Sequence, residues 1–370
     1  MSTAPVFMPP RFQEGPVSTA LQLGPLASLA GSWKGTGFNQ IWRPDNPASQ
    51  PVGGQTKRFL ELNLTSETLD FHVIPGAIPN RGLNPQVDLS LYGLHYLQRV
   101  TDADLPPFET AGQALHIEPG LFMRVPASVI PSQPASIARL ASIPHGVAVL
   151  MQGLDPGTTP TPGAPTIPPI FPIAGLPTFT PASPAVGLGI QPTNIFPGSP
   201  PNFEHQVPEV VIASDVAGTQ STGPFPASFQ DLVNDPNSLL RSAIAGQDIL
   251  GFIAINLSTT GVGSGLENTP YQGLANIPFL GLPSQALAAA PNPAPNAFVL
   301  QAAATFWIEW VKLPGGPALG GKASPEVLKI EPFFPVRTYL QLQYSQMSIL
   351  VFNGVLWPHV NVATLTLSNG

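Results

Sequence analysis

Apolar and polar residues alternate through much of the first and last parts of the chain. In Arg58–Leu64, a leucine stands at every second position and Phe59, Glu61 and Asn63 fall between. A period of two places successive side chains on opposite faces of a strand. Further strands are predicted, with less regular alternation, at Leu26–Trp42, Thr68–Ile74, Leu89–Val100, Leu115–Val125, Ala138–Met151, Asp248–Leu257, Phe298–Leu313, Thr338–Phe352 and Val355–Leu367. The pattern therefore predicts an all-β protein.

The last two predicted strands are joined by Asn353-Gly354. Asn-Gly favours the positive φ angles that a two-residue hairpin turn requires. The C-terminal part of the chain is therefore predicted to be an antiparallel hairpin.

Glycines interrupt the first predicted strand at Gly31, Gly35 and Gly37. A strand with glycines at such spacing leaves part of one face without side chains. This pattern predicts a sharp bend there, or a close approach of another backbone.

The alternation breaks between about Asp155 and Asn296. Residues 156–202 are dense in proline, threonine and glycine, but they also carry many isoleucines and phenylalanines that need cover. The segment is too apolar for a typical disordered linker, so an ordered wrap over the strands is predicted. Within the break, Asp235–Gly246 predicts a helix with Asp235 as its cap, proline at the first position and a glycine stop.

Composition narrows the range of partners. The 370 residues are 43% hydrophobic and only 9% charged, with a formal net charge of −7 and no cluster of lysine and arginine. Tracking a phosphate backbone needs such a cluster, so nucleic acid is not an expected partner. Low charge also leaves little mutual repulsion, which favours self-association into a homo-oligomer.

The sequence predicts neither a signal peptide nor a membrane span. Met1–Ala20 contains no apolar signal-peptide core, and the longest apolar runs, such as Ile249–Asn256, are too short to cross a bilayer. We expect a cytoplasmic protein without a membrane span.

The usual catalytic motifs are missing from the sequence. It has no cysteine, which excludes disulfides, thiolate nucleophiles and cysteine metal ligands, and it has no P-loop, HExxH or GxSxG. Six histidines remain, and no two share a short metal-ligand spacing: His72, His95, His116, His145, His205 and His359. A single imidazole facing an apolar cavity can hold a haem iron, whereas each histidine taken alone also suits an ordinary core or loop position.

Four motifs, in order along the chain, carry a resemblance to a known family. They are Gly31-Ser-Trp-Lys-Gly-Thr-Gly37, Glu67-Thr-Leu-Asp-Phe-His-Val73, His116-Ile-Glu-Pro-Gly-Leu-Phe-Met-Arg-Val-Pro126, and Leu342–Met347 followed by Leu356-Trp-Pro-His359. Together they resemble the nitrobindin-like haem-binding branch of the fatty-acid-binding-protein-like (calycin) β-barrels. The resemblance covers residues 26–153 and 298–367.

The resemblance implies an antiparallel calycin-like β-barrel. Its expected parts are an extended N-terminal arm (1–25), the first part of the barrel (26–154), a proline-rich insertion that covers the barrel and contains a short helix (155–297), and C-terminal strands that complete it (298–370).

The resemblance also implies haem b bound through one histidine, with nitric oxide or peroxynitrite as the small molecules handled. His359 would be the iron ligand, with His145 as a second ligand candidate. Arg124 would pair with Glu118 or another barrel carboxylate. The residues expected around the cofactor are Trp33, Phe38, His116, His145 and Met347.

Three departures keep other functions open. Pro358 removes a ladder donor beside His359, the spacing after Gly120 has one extra residue, and the insertion has no counterpart in the family. One alternative is a carrier of, or an enzyme acting on, a lipophilic small molecule held in the barrel lumen. Another is a structural or assembly protein.

Overall fold

The structure is a computed structural model. It describes residues 16–43, 59–82, 87–103, 112, 114–130, 132–144, 147–170, 210–212, 235–259, 297–313, 337–352 and 355–368. Most of these residues lie in strands.

Fifteen strands, two α-helices and one 3₁₀-helix form the described part of the chain. The helices are α1 (Pro16–Leu23), a 3₁₀-helix (Gly24–Leu29) and α2 (Asn237–Ile244). The strands are β1 (Gly31–Arg43), β2 (Phe59–Val73), β3 (Ile78–Asn80), β4 (Leu89–Asp102), β5 (Ala114–Val125), β6 (Ser128–Val129), β7 (Ser132–Gln133), β8 (Ser136–Ile143), β9 (Val147–Leu154), β10 (Thr161–Pro162), β11 (Val210–Ile212), β12 (Ile249–Ser258), β13 (Ala297–Lys312), β14 (Thr338–Phe352) and β15 (Val355–Leu367).

Ten of the strands close into an antiparallel barrel. Their order around the wall is β1, β2, β4, β5, β8, β9, β12, β13, β14 and β15, and β15 pairs back with β1. Pairing of the first strand with the last removes the two edges that an open sheet would have. The prediction of an all-β antiparallel barrel is confirmed, and the architecture is consistent with a calycin-like fold.

The two ends of the barrel differ. Neighbouring strands run in opposite directions, so the segments that link them alternate between the ends. We call the end where β1 begins the helix end, because the 3₁₀-helix immediately precedes β1 there. We call the opposite end, where β1 finishes at Arg43, the far end.

Residues 16–29 close the helix end, although an extended arm was predicted there. Leu23, Leu26 and Leu29 are fully buried and belong to the main core of the barrel. The Trp33 indole Nε1 donates to the Leu29 carbonyl at 2.7 Å, which joins the 3₁₀-helix to the first strand. These leucines recur every third residue, which is the 3₁₀ period, and five of the six residues of the 3₁₀-helix are buried. The extended-arm prediction was wrong for these residues because it ignored that spacing.

The glycines of β1 allow β15 to approach it closely. A Cβ atom on Gly35 would lie 2.0 Å from the Thr364 carbonyl oxygen, and one on Gly37 would lie 2.3 Å from the Val362 carbonyl oxygen. Real Cβ atoms do not approach a backbone so closely. The predicted close approach at these glycines is therefore confirmed, and it lies at the seam between the first and last strands.

Among the strand pairs of the wall, β9 and β12 share the fewest paired residues. Ser258 and Gln152 are the residues paired between these two strands. Farther toward the helix end, β12 pairs instead with β10, through Thr161 opposite Phe252 and Pro162 opposite Gly251. The start of the insertion thus covers an edge of β12 that β9 does not reach.

Two element predictions were wrong in their boundaries. Arg58–Leu64 and Thr68–Ile74 were predicted as separate strands, but they form one strand, β2. Conversely, Ala138–Met151 was predicted as one strand and is the β8–β9 hairpin. The polar residues 65–67 resemble a turn in the sequence, but Thr65 and Glu67 face the barrel interior and Ser66 faces solvent within one continuous strand.

The predicted helix of the insertion is confirmed, but its cap is different. No side chain caps α2, and Gly246, two residues past its end, has φ 81°. The Asp235 carboxylate instead accepts from the Ile170 backbone N–H at 2.9 Å and pairs with Arg241. These contacts fix the end of segment 155–170 against the helix. Residues 171–209 and 213–234 of the predicted wrap lie outside the described residues.

Candidate functional site in the barrel lumen

The inner face of the barrel is apolar toward the helix end, whereas its middle and far end carry both polar residues and an apolar surface formed mainly by β8, β9, β12 and β13. The helix-end half holds core side chains that include Trp33, Leu69, Phe71, Leu342 and Leu365. Strand alternation and register place the polar residues on one side of this half of the lumen: Asn39, Asn63, Thr65, Glu67, Gln98, Glu118, Arg139, Gln346 and Asn361. Buried polar groups destabilise the fold unless they are hydrogen-bonded, so their partners determine what this half of the lumen can do.

Arg139 is the centre of a buried ionic cluster. Its Nη2 donates to Glu118 Oε1 at 2.5 Å, its Nε donates to Tyr96 Oη at 3.0 Å, and its Nη1 donates to Gln346 Oε1 at 2.6 Å. The side chains of Arg139 and Glu118 are 3% and 4% exposed. The guanidinium carbon also lies 5.2–5.6 Å from the ring centres of Tyr96, Phe122 and Phe306. The cluster is therefore satisfied by protein groups and held rigidly.

The charge state of this cluster follows from Arg139. Burial would raise the pKa of Glu118, but the guanidinium, assisted by hydrogen bonds from His116 and Tyr96, lowers that pKa to about 2. Burial raises the pKa of Tyr96, so the phenol stays protonated. Its O–H donates a hydrogen bond to Glu118 Oε1 at 2.5 Å. At neutral pH the cluster is thus a carboxylate–guanidinium pair with a neutral phenol.

A second buried carboxyl, Glu67, is held without a cation in contact. Its oxygens accept hydrogen bonds from Thr65 Oγ1 at 2.8 Å, Tyr344 Oη at 2.6 Å and Gln98 Nε2 at 3.1 Å. Burial raises the pKa of Glu67 despite these hydrogen bonds. Glu67 therefore holds a proton at higher pH than an exposed glutamate does.

The middle of the lumen is almost filled by side chains. A void of about 10 Å³ lies between the two clusters, lined by Leu69, Phe71, Tyr96, Gln98, Phe122, Arg139, Phe306 and Tyr344. Such a volume accommodates about one water molecule. A larger ligand therefore has no space at this level of the barrel.

A row of three asparagines crosses the wall nearer the far end. Asn63, Asn39 and Asn361 are direct cross-strand neighbours on β2, β1 and β15. Asn63 is 1% exposed and Asn39 is 3% exposed. Both amide atoms of Asn63, and the side-chain oxygens of Asn39 and Asn361, have no hydrogen-bond partner. The row thus presents unused hydrogen-bonding groups inside the barrel.

Of the predicted haem residues, two share the polar part of the lumen. His359 lies on the inner face of β15, two positions before Asn361, and is paired with Ile41 and Ser348. His116 lies on the inner face of β5, with its Nε2 3.5 Å from Glu118 Oε2. His145, the second ligand candidate, lies outside the described residues.

The other predicted haem residues lie elsewhere. Trp33 faces the lumen at the helix end, where it belongs to the apolar core. Phe38 and Met347 occupy the outer faces of β1 and β14, as their strand positions relative to Trp33 and Tyr344 require. The structure therefore does not bring the predicted set together around one cavity.

Comparison with protein-family models, with curated proteins and with solved structures finds no match to this chain. The description of the site thus depends on its own geometry. The closed ten-stranded barrel and the polar residues of its inner face are the features on which we build.

In the middle of the lumen the described residues leave no space for a porphyrin. His116 and His359 are the described imidazoles on the inner face. A porphyrin also needs a flat apolar slot, but the inner-face neighbours of His359 toward the middle are the amides of Asn361 and Gln346. The middle of the lumen beyond them holds the void of about 10 Å³. We therefore derive no chemistry through an iron centre.

Two further limits apply to the described residues. They contain no group of three or more histidine, aspartate and glutamate side chains placed to hold a metal ion. Their helices are too short, or not apolar enough, to cross a membrane.

Sequence reasoning missed the residues that organise this lumen. Arg139 stands alone in the apolar segment Ser136-Ile-Ala-Arg-Leu-Ala141, and a single charge in such a segment is a signal of a buried ion pair. Arg124 was expected to pair with Glu118 or another barrel carboxylate, and it pairs with Asp155 at 2.6 Å and donates to the Gln22 carbonyl at 3.0 Å. Glu118 is instead the partner of Arg139.

Proposed function

We propose that this protein binds a small molecule in the far-end half of the barrel lumen, with Asn39, Asn63 and Asn361 as its hydrogen-bonding contacts. The observation that carries the proposal is the set of unpaired amide atoms on these three neighbouring residues. An unpaired buried polar group costs about 1–3 kcal/mol, and native structures contain few of them. Three adjacent residues with this cost are explained if a bound molecule supplies the missing partners.

The chemistry of the row favours an uncharged ligand with hydrogen-bonding groups. Asparagine amides both donate and accept, and Glu67, four positions from Asn63 along β2, is already hydrogen-bonded to Thr65, Gln98 and Tyr344. A purely lipophilic ligand would leave the amides unpaired. The apolar half of the lumen is filled by core side chains and the two N-terminal helices. We therefore favour a ligand whose polar group enters the lumen first.

Replacing Asn63 with leucine tests this proposal. We expect the ligand-free protein to become slightly more stable, because the change removes two unpaired polar atoms from a buried position. We also expect the substitution to abolish ligand binding. Native mass spectrometry of gently purified protein would detect retained ligand, and thermal shifts with neutral amides and polyhydroxylated rings would detect binding.

Asn256→Leu is the matched control, because Asn256 lies exposed on the outer face of β12. It should leave binding unchanged. The proposal fails if Asn63→Leu destabilises the ligand-free barrel while binding survives, since the amide would then have a structural partner. Long-chain fatty acids, which test the lipophilic alternative, should produce no thermal shift.

Haem binding through His359 is the second candidate function, favoured by the inward position of this histidine near the far end. If it is correct, titrating the protein with ferric haem should produce a sharp, red-shifted Soret band. His359→Ala should remove that band, whereas His116→Ala should retain it. A band of equal strength in both variants would contradict ligation by His359.

Only a positive haem titration would justify testing nitric oxide or peroxynitrite. Size measurement of the same samples addresses the assembly alternative. That alternative predicts a stable oligomer that binds neither haem nor any of the neutral probes.

A further inference from the structure

Two exposed histidines face each other on the outside of the barrel. His72 on β2 and His95 on β4 are paired directly across the antiparallel strands. Their rings are stacked, with centroids 5.0 Å apart and planes inclined by 23°. Both side chains point to solvent. Neither belongs to the lumen described above.

We propose that His72 and His95 form a two-histidine binding site for a divalent transition-metal ion of the type that prefers imidazole, such as Zn²⁺, Ni²⁺ or Cu²⁺. Directly opposed residues of an antiparallel pair have Cβ atoms roughly 4.5–5.5 Å apart. Imidazole nitrogens bind such ions at about 2.0–2.1 Å, so two rings on opposed residues can reach one ion after small side-chain rotations. The backbone already fixes both ligands, and little is left to order on binding.

The surroundings of the pair do not compete for these imidazoles. Asp70, on the same face of β2, is held by Arg99 through an Oδ2–Nη1 contact of 2.9 Å. On the other side of His95, the paired residue of β5 is the half-buried Leu121. Asp70 is thus already paired with a cation, and water would complete the metal coordination. Such a site is open to solvent.

Coordination would tie β2 to β4 across one strand pair of the barrel wall. Losing one of two linked ligands removes a multivalent gain of roughly 10²–10⁴ in affinity. If both histidines share one ion, either histidine alone should therefore bind the ion only weakly. Two independent surface imidazoles would instead each keep half of the binding.

The test is isothermal titration of the untagged full-length chain with Zn²⁺ and Ni²⁺ in a non-coordinating buffer. We expect one ion per chain, with affinity reduced about a hundredfold by His72→Gln and by His95→Gln. The double variant should be no weaker than either single variant. His116→Gln, which removes a histidine inside the barrel, should bind as the wild type does.

Thermal unfolding gives a second readout. The metal should raise Tm in the wild type and in His116→Gln, but not in the His72 or His95 variants. An excess of Mg²⁺ should not displace the ion, because Mg²⁺ prefers oxygen ligands. Unchanged binding in both single variants, or half the stoichiometry in each, would overturn the proposal.

Discussion

Replacing Arg139 with methionine is expected to lower the free energy of unfolding by about 3–5 kcal/mol. The substitution leaves the Glu118 carboxylate buried without its cation, and it removes donors to Tyr96 and Gln346. Methionine fills part of the space between Phe122 and Phe306, so loss of packing contributes less than loss of charge. Chemical denaturation at neutral pH measures the difference.

Arg99→Met is the matched control for this prediction. Arg99 makes a similar contact with Asp70, but its side chain is 50% exposed. Exposed ion pairs contribute only about 0.2–1 kcal/mol, so the same substitution should have a small effect there. Equal losses from the two variants would show that the buried position of Arg139 adds nothing.

The pH dependence of the Arg139 variant provides a further check. In the wild type the pKa of Glu118 is lowered to about 2, so the stabilisation is present above the unfolded pKa of 4.5 and is lost as the pH falls toward 2. Without Arg139, burial dominates and the carboxyl prefers to be protonated. The variant should therefore lose less stability than the wild type on acidification over this range.

Replacing Glu309 with glutamine is expected to stabilise the protein by about 3 kcal/mol at pH 8.5 and to have little effect at pH 4.5. Glu309 is fully buried on the outer face of β13, and its partner is the Gln341 amide, which donates to Oε2 at 2.7 Å. Its other oxygen, Oε1, has no partner. Burial raises the pKa of Glu309 to about 7.

The direction in which stability changes with pH follows from proton binding by Glu309. Because the folded pKa of Glu309 lies above its unfolded value of 4.5, the folded protein binds the proton more tightly. Its contribution to stability is complete below about pH 4.5 and is lost as the pH rises through 7. Urea unfolding at pH 4.5, 7 and 8.5 should show this slope in the wild type and a flatter profile in Glu309→Gln.

Asp248→Asn serves as the control for Glu309, because Asp248 is an exposed carboxylate that pairs with Lys312 at 2.8 Å. It should change the stability by less than about 1 kcal/mol across the same pH range. A steep wild-type slope that persists in Glu309→Gln would assign the effect to another buried carboxyl, with Glu67 the first to examine.

The sequence predicted the parts of the fold that depend on local chemistry. The β14–β15 hairpin follows from Asn353-Gly354, and the seam at Gly35 and Gly37 follows from the spacing of the glycines. Contacts between distant residues were not predictable in this way. Tyr344 and Glu67, for example, are 277 positions apart, and no periodicity connects them.

The candidate site was predicted less well than the fold. Alternation identified the two faces of the strand that carries Asn63, but it could not show that the asparagine face, rather than the leucine face, points inward. Closure of the wall determines that choice. Likewise, Phe38 and Met347 are apolar and lie in strands that carry the family motifs, but their positions on the strands place them outside.

The seam between β1 and β15 also governs how the chain reaches its folded state. Ser368 Oγ donates to the Ser32 carbonyl at 2.7 Å across a separation of 336 positions, so the first and last strands of the wall are neighbours. Contacts between residues so far apart in sequence slow folding, because the chain loses the conformational entropy of the intervening loop before the contacts form. During synthesis β1 therefore stays unpaired on one edge until the last strand has left the ribosome. An exposed strand edge favours aggregation, so the chain needs most protection from aggregation during this interval.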